Sequence, residues 1–181
     1  AGAAAGGVAG FDLPTVTPFV ACHVPRPSDP PPIATARPSR LPRAALTHLR
    51  RIDVVRRAGA GRRADAAVKR VPKAGGGWRL VLDCTLYNAR WEGWRAARPP
   101  LRLPTPADLA AAVSHLPPRA RRAVVGDVRH AFHLLRLPDD IPGPVFLLRG
   151  ELWEWRAAPM GAVYASQALD GALRRILALP P

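Results

Sequence analysis

The stretch 123–143, AVVGDVRHAFHLLRLPDDIPG, holds three aspartates in a chain poor in acid, where 13 Asp and Glu face 27 Lys and Arg. Its first six residues, AVVGDV, are mostly small or β-branched and predict a buried strand. That strand ends near Asp127. A carboxylate placed there is held rigidly at a sheet edge and faces a cleft, which suits a metal ligand. The plainer alternative is an aspartate that caps the following helix. Phe132, in the apolar run HAFHLL, is open to two readings in the same way, a site ring or an ordinary core side chain. Asp139 and Asp140 lie in RLPDDIPG, which has no strand pattern and no preceding aromatic, so they read as a solvated turn. His130 and His133 are spaced to share a helical face, but no further ligands follow nearby for a zinc site.

Downstream, PVFLLRGELWEWRAAP (144–159) predicts a hairpin about RGE, and MGAVYASQALDGALRRILAL (160–179) predicts a final helix. Ala165, Leu169, Leu173 and Ile176 fall on one stripe of that helix. Upstream, TPADLAAAVSHL (105–116) predicts a helix with Thr105 as N-cap, Pro106 in the first turn and Asp108 favouring the dipole. Residues 64–87 predict strand, glycine turn and strand, with GGG supplying positive φ. Residues 43–58 predict an amphipathic helix ended by Gly59 and Gly61, its apolar face made by Ala45, Leu46, Leu49, Ile52 and Val55. The arginine face opposite is either solvated or in contact with nucleic acid. Residues 1–43 carry nine prolines and predict an extended, disordered linker or tail. Within it, the apolar piece FDLPTVTPFVACHV is able to dock on a neighbour. No internal repeat is visible, and the mixed order of elements predicts an α+β fold.

The chain has 181 residues, enough for one domain core, and a formal net charge of +14. Its two lysines are Lys69 and Lys73, so the charge is nearly all arginine. Such a charge favours an anionic partner, nucleic acid first. A GC-rich coding bias and a ribosome-associated role are two other sources of arginine excess. Cys22 and Cys84 carry no CxxC spacing and suggest neither a disulfide framework nor a zinc site. No apolar run reaches the length of a membrane helix, so no membrane partner is expected.

Four pieces in order resemble the reverse transcriptases of retroviral, gypsy-like and DIRS-like elements. VPKAGGGWRLVLDCTLYN resembles that family's fingers hairpin, and PLRLPTPADL its connector into a helix. VVGDVRHAFHLLRLPDD resembles the first catalytic palm motif. ELWEWRAAPMGAVYASQALDGAL resembles the next one, an aromatic hairpin followed by a Pro-x-Gly turn and a helix. The resemblance covers roughly residues 46–178. It implies a right-hand polymerase fold of fingers and palm. Residues 44–181 would be a partial domain, with the fingers hairpin at about 66–88 and the palm at about 99–181.

The resemblance also implies roles. Asp127 and the backbone carbonyl of Val128 would contact Mg²⁺, two ions of which stabilise the attacking and leaving oxygens of nucleotidyl transfer. Lys73 and Arg79 would bind the phosphates of an incoming deoxynucleoside triphosphate, a task that suits the fixed fork of arginine. Phe132 would lie beneath the sugar and exclude a 2′-hydroxyl. Met160 and Gly161, after Pro159, would lie against the nascent pair of an RNA or DNA template–primer. Met160 stands where the family often has Gln or Phe, so no side-chain hydrogen bond carries over. The family's Asp-Asp hairpin, thumb and ribonuclease H are expected beyond Pro181, in the rest of a polyprotein. The chain alone is therefore expected to be inactive. Localisation is left open between cytoplasm and nucleus. The competing expectation is a non-catalytic, basic nucleic-acid-binding remnant or a ribosome-associated protein.

Overall fold

Two hairpins and the helices between them organise the computed structural model, which describes residues 10–29, 35–97, 101, 104–117 and 126–177. The chain enters through β1 (Phe11–Asp12) and β2 (Val20–Ala21), then forms α1 (Arg43–Arg51) and β3 (Val55–Arg57). The first hairpin is β4 (Ala67–Pro72) and β5 (Trp78–Asp83). Three short helical pieces follow: α2 (Thr85–Asn88), a 3₁₀ turn (Ala89–Trp91) and α3 (Glu92–Ala96). Next come α4 (Pro106–Ser114), α5 (Ala131–Leu134) and β6 (Leu135–Arg136). The second hairpin is β7 (Val145–Leu148) and β8 (Glu151–Trp155), and α6 (Ala165–Ile176) closes the described chain. The described strands form three small sheets, ordered β1-β5-β4, β2-β6 and β3-β8-β7. The class is α+β, as expected.

Local chemistry explains the elements that match expectation. In the first hairpin, Gly76 and Gly77 adopt φ of 84° and 80°, which side chains resist. In the second, Arg149 and Gly150 both have positive φ, the backbone of a two-residue turn that matches strand twist. At α4, Thr105 and Asp108 complete a capping box.

Four expectations are corrected. The helix read over 43–58 stops at Arg51. Asp53 takes φ 52°, its N–H donates to Arg50 O, and the Val54 N–H donates to Leu49 O. That is a Schellman closure, with buried Val54 packed in the same core as buried Leu49. Val55 then belongs to a strand, so the glycines at 59 and 61 end nothing helical.

The segment read as a disordered linker is built into the fold wherever it is described. β1 pairs in parallel with β5, and β2 pairs in parallel with β6. Leu13, Cys22, Val24 and Leu41 are buried in the core. Proline does not prevent this, because its carbonyl still accepts: Trp91 Nε1 donates to Pro25 O at 3.1 Å. Residues 1–9 and 30–34 of that segment lie outside the described residues.

On α6 the buried face is alanine, at 165, 168 and 172, and Ile176 is exposed. Small side chains let this helix sit close to α5 and β6, and Leu169 packs at the edge of the same core. Finally, Gly126 to Val128 form no strand, and residues 123–125 of the expected AVVGDV strand lie outside the described residues.

The core joins the two hairpins through aromatics. Tyr87, Trp91 and Tyr164 cluster with ring centroids 4.7 and 5.1 Å apart on the two sides of Trp91. No helix among the described residues is long and apolar enough to cross a membrane.

Candidate active site

A cleft of about 470 Å³ opens between the first hairpin and the segment that follows Asp127. Five of the seven expected site residues line it: Arg79, Asp127, Val128, Phe132 and Met160. They arrive from three stretches of chain. β5 presents Arg79. The irregular segment before α5 presents Asp127 and Val128, and α5 itself presents Phe132. The turn after β8 presents Met160, which is exposed. Asp127 is exposed on the cleft wall and makes no hydrogen bond or ion pair with another described residue. Phe132 is half-buried and packs on the core.

Lys73 and Gly161 lie just outside the lining. Gly161 has φ +105°, and its carbonyl accepts from Asn88 Nδ2 at 2.9 Å. Lys73 reaches the cleft through a partner that sequence reasoning missed. Its Nζ donates to Asp12 Oδ2 at 3.0 Å, and Asp12 lines the cleft. Arg129 Nη2 donates to Asp12 Oδ1 at 3.1 Å, and His130 Nε2 lies 3.2 Å from the same oxygen. The hydrogen bond from Lys73, then that from Arg129 and the charge of His130, hold the Asp12 carboxyl down at about 2 against the opposing effect of burial. No local signal marks Asp12, which is 61 residues from Lys73 in a proline-rich stretch.

The two histidines sit edge to face, 5.7 Å between centroids, and His133 meets Trp155 at 5.7 Å. Burial pushes both imidazoles down, His133 to about 4. His130 stands in the left-handed region at φ 55°. Trp78 is partly exposed and carries the Arg70 guanidinium 5.1 Å from its ring centre.

Asp139 and Asp140 lie in an exposed turn. Asp140 is 3.6 Å from Arg26, a solvated pair. Asp139 has a structural task as well, since it accepts from Arg156, whose side chain is wholly buried.

The oxygen donors of Asp127 and Val128 are of the hard type that Mg²⁺ prefers. A two-ion site needs more carboxylates than one. Among the described residues no three His, Cys, Asp or Glu side chains converge to hold a metal. The described residues therefore do not make a two-ion site by themselves.

No protein-family model matches the chain, and a search of curated proteins finds no match. Solved structures do match. One is foamy viral protease-reverse transcriptase in complex with double-stranded DNA, with TM-score 0.53 and 16% identity, over 84% of this chain and 28% of that one. A prototype foamy virus protease-reverse transcriptase mutant matches with TM-score 0.55 and 16% identity, over 86% of this chain and 20% of that one. A further foamy viral complex with double-stranded DNA matches with TM-score 0.51 and 16% identity, over 94% of this chain and 33% of that one. The chain has a reverse-transcriptase-like fold. It spans between a fifth and a third of the length of these solved chains. At this identity the likeness is one of fold.

Proposed function

We propose that the chain is the fingers and first palm portion of a retroelement RNA-directed DNA polymerase. The observation that carries this is the cleft, which gathers Arg79, Asp127, Val128, Phe132 and Met160 from distant segments of a reverse-transcriptase-like fold. In this reading Arg79 grips the phosphates of a deoxynucleoside triphosphate through its guanidinium fork. Phe132 supports the sugar and crowds a 2′-hydroxyl. Met160 contributes apolar contact to the nascent pair and no hydrogen bond. Asp127 and the Val128 carbonyl offer oxygens to Mg²⁺, and the other carboxylates that such an ion pair needs come from outside the described residues. The excess of arginine holds a template–primer through its phosphates.

The absence of a converging carboxylate set among the described residues favours a second reading, a non-catalytic binder of nucleic acid. One experiment separates them. The chain is titrated with a template–primer duplex across a salt series, with and without the matching deoxynucleoside triphosphate. Under the polymerase reading the correct nucleotide tightens duplex binding, and Arg79→Ala removes that gain. Duplex binding that ignores the nucleotide supports the plain binder. No binding at about 50 mM salt, where phosphate contacts are strongest, refutes both. Primer extension by these residues alone is expected to be nil.

A further inference from the structure

Asp12 stands opposite Arg79 in the β1–β5 register, and its carboxylate bonds Lys73 on the fingers hairpin and Arg129 beside Asp127. One internal carboxylate thus pairs with Lys73 and stands in register with Arg79, the two cations that the nucleotide reading assigns to phosphate. We propose that Lys73 and Arg129, with the His130 imidazole beside them, form a polyphosphate site that Asp12 fills as a built-in competitor. The proposal deepens the nucleotide reading of this cleft and rests on it for the class of ligand.

The geometry explains why a carboxylate is held there. The N-terminal segment is strapped across the cleft at several points. The Trp78 N–H donates to Gly10 O at 2.6 Å. A side chain at Gly77 would place its Cβ 2.9 Å from that same oxygen, so glycine is what lets the strap lie against the hairpin. His48 Nε2 donates to Pro14 O at 2.6 Å, and the Phe19 N–H donates to Leu134 O at 3.1 Å. Leu13 is buried between these anchors. Asp12 is consequently presented rather than free to wander.

Its charge decides what can replace it. A single carboxylate offers one negative charge and two oxygens to the Lys73 ammonium and the Arg129 guanidinium. A pyrophosphate group offers more charge and more acceptors to the same two cations, and Arg129 is exposed enough to donate a second bond. The ligand must first displace Asp12, so its apparent affinity is the intrinsic affinity multiplied by the fraction of chains in which the carboxylate has left. Because Asp12 also ties the N-terminal strap to both cations, the same displacement loosens the strap from the hairpin.

The test uses inorganic pyrophosphate and calorimetry on the 181-residue chain. Asp12→Asn is expected to bind pyrophosphate about tenfold or more tightly than the unmodified chain. Adding Lys73→Ala to Asp12→Asn is expected to remove the gain. Asp83→Asn, which unpairs Lys69 on the same hairpin, controls for the simple loss of a negative charge. Equal affinities for Asp12→Asn and the unmodified chain would overturn the proposal, as would an equal gain from Asp83→Asn. Should Asp12→Asn not fold, hydrogen exchange on the unmodified chain decides. Saturating pyrophosphate is expected to speed exchange at the Trp78 N–H, and unchanged protection overturns the proposal. If Asp12→Asn gains for pyrophosphate but binds dATP no better, the site stands and the nucleotide reading falls. If the pyrophosphate gain is missing while nucleotide-dependent duplex binding persists, this proposal alone falls.

Discussion

Arg56 Nε donates to Glu154 Oε2 at 2.8 Å across the β3–β8 pair, where the two residues stand in register. The carboxylate is buried, at 2% exposure, and also accepts from Arg62 Nη1 at 3.1 Å and from the Gly143 N–H at 2.9 Å. Arg156, wholly buried, lies 4.0 Å away. Burial pushes the Glu154 carboxyl up, but the bonds from Arg56 and Gly143 and the charge of Arg62 outweigh it, and the net shift is down. Glu154→Gln keeps the volume and removes the charge that several guanidiniums share. It is expected to cost about 1.5–3 kcal/mol, because charge-assisted bonds to a buried carboxylate are lost while Arg156 keeps Asp139. Urea unfolding checks this, and a loss under about 1 kcal/mol would show the network to be merely solvated.

Gly143 is expected to tolerate no side chain. A Cβ there would lie 1.9 Å from the carbonyl oxygen of Trp155, which is backbone and cannot swing away. The surroundings are pinned, since the Trp155 N–H donates to Pro144 O at 2.9 Å. Gly143→Ala should cost about 3 kcal/mol or more. At about 2–4 °C per kcal/mol, the thermal midpoint should fall by roughly 6–12 °C. Gly75→Ala, where a Cβ meets nothing within 4 Å, is the matched control and should change little.

Acid should weaken the fold before Asp12 and Asp83 titrate. Burial and the neighbouring His130 push His133 from 6.5 down to about 4. The native state holds it neutral, and the unfolded chain takes up the proton first. Stability from this group is therefore complete above about pH 6.5 and is lost as pH falls toward 4. His130, shifted the same way, adds to that window. The loss attributable to His133 is about 3 kcal/mol. Asp12 and Asp83, both held near 2, remain charged throughout it. Unfolding measured from pH 7 to 4 should show the slope, and His133→Phe should flatten it.

Tyr87 and Tyr164 are both fully buried, and their hydroxyls lie 2.9 Å apart. Tyr87 also donates to Pro142 O at 3.0 Å, so the Tyr164 hydroxyl is the donor to Tyr87. Tyr164→Phe removes one donor and leaves Tyr87 satisfied, at a cost of about 1 kcal/mol. Tyr87→Phe orphans both Pro142 O and the Tyr164 hydroxyl, at about 2 kcal/mol. The double variant should cost less than the sum, because the shared bond is lost only once. Equal single costs and strict additivity would contradict this polarity of the bonds.

The parts legible in the sequence were those with local causes. The GGG and RGE turns need positive φ, and the pair Thr105–Asp108 caps a helix within four residues. The Arg79, Asp127, Val128, Phe132 and Met160 set was legible as motifs, and one cleft gathers those residues. The helix end at Asp53 was not legible, because an aspartate there gives no glycine signal and its αL backbone is supported by Arg136, which donates to its carboxylate. The alanine face of α6 was hidden for a similar reason: hydropathy ranks leucine first, while close packing on α5 and β6 selects small side chains.

By itself, then, the sequence determined turn geometry, helix capping, the α+β class and the arginine-borne charge, all of which follow from neighbours a few residues apart. Only the tertiary structure decided what the proline-rich segment does. Its apolar side chains joined a core whose members reach as far as Ala172, and its carbonyls found donors such as Trp91 Nε1, 66 residues on. The placement of Asp12 among Lys73, Arg129 and His130 belongs to the same class. Such contacts depend on loop closure and packing over long separations, and no spacing in the chain encodes them.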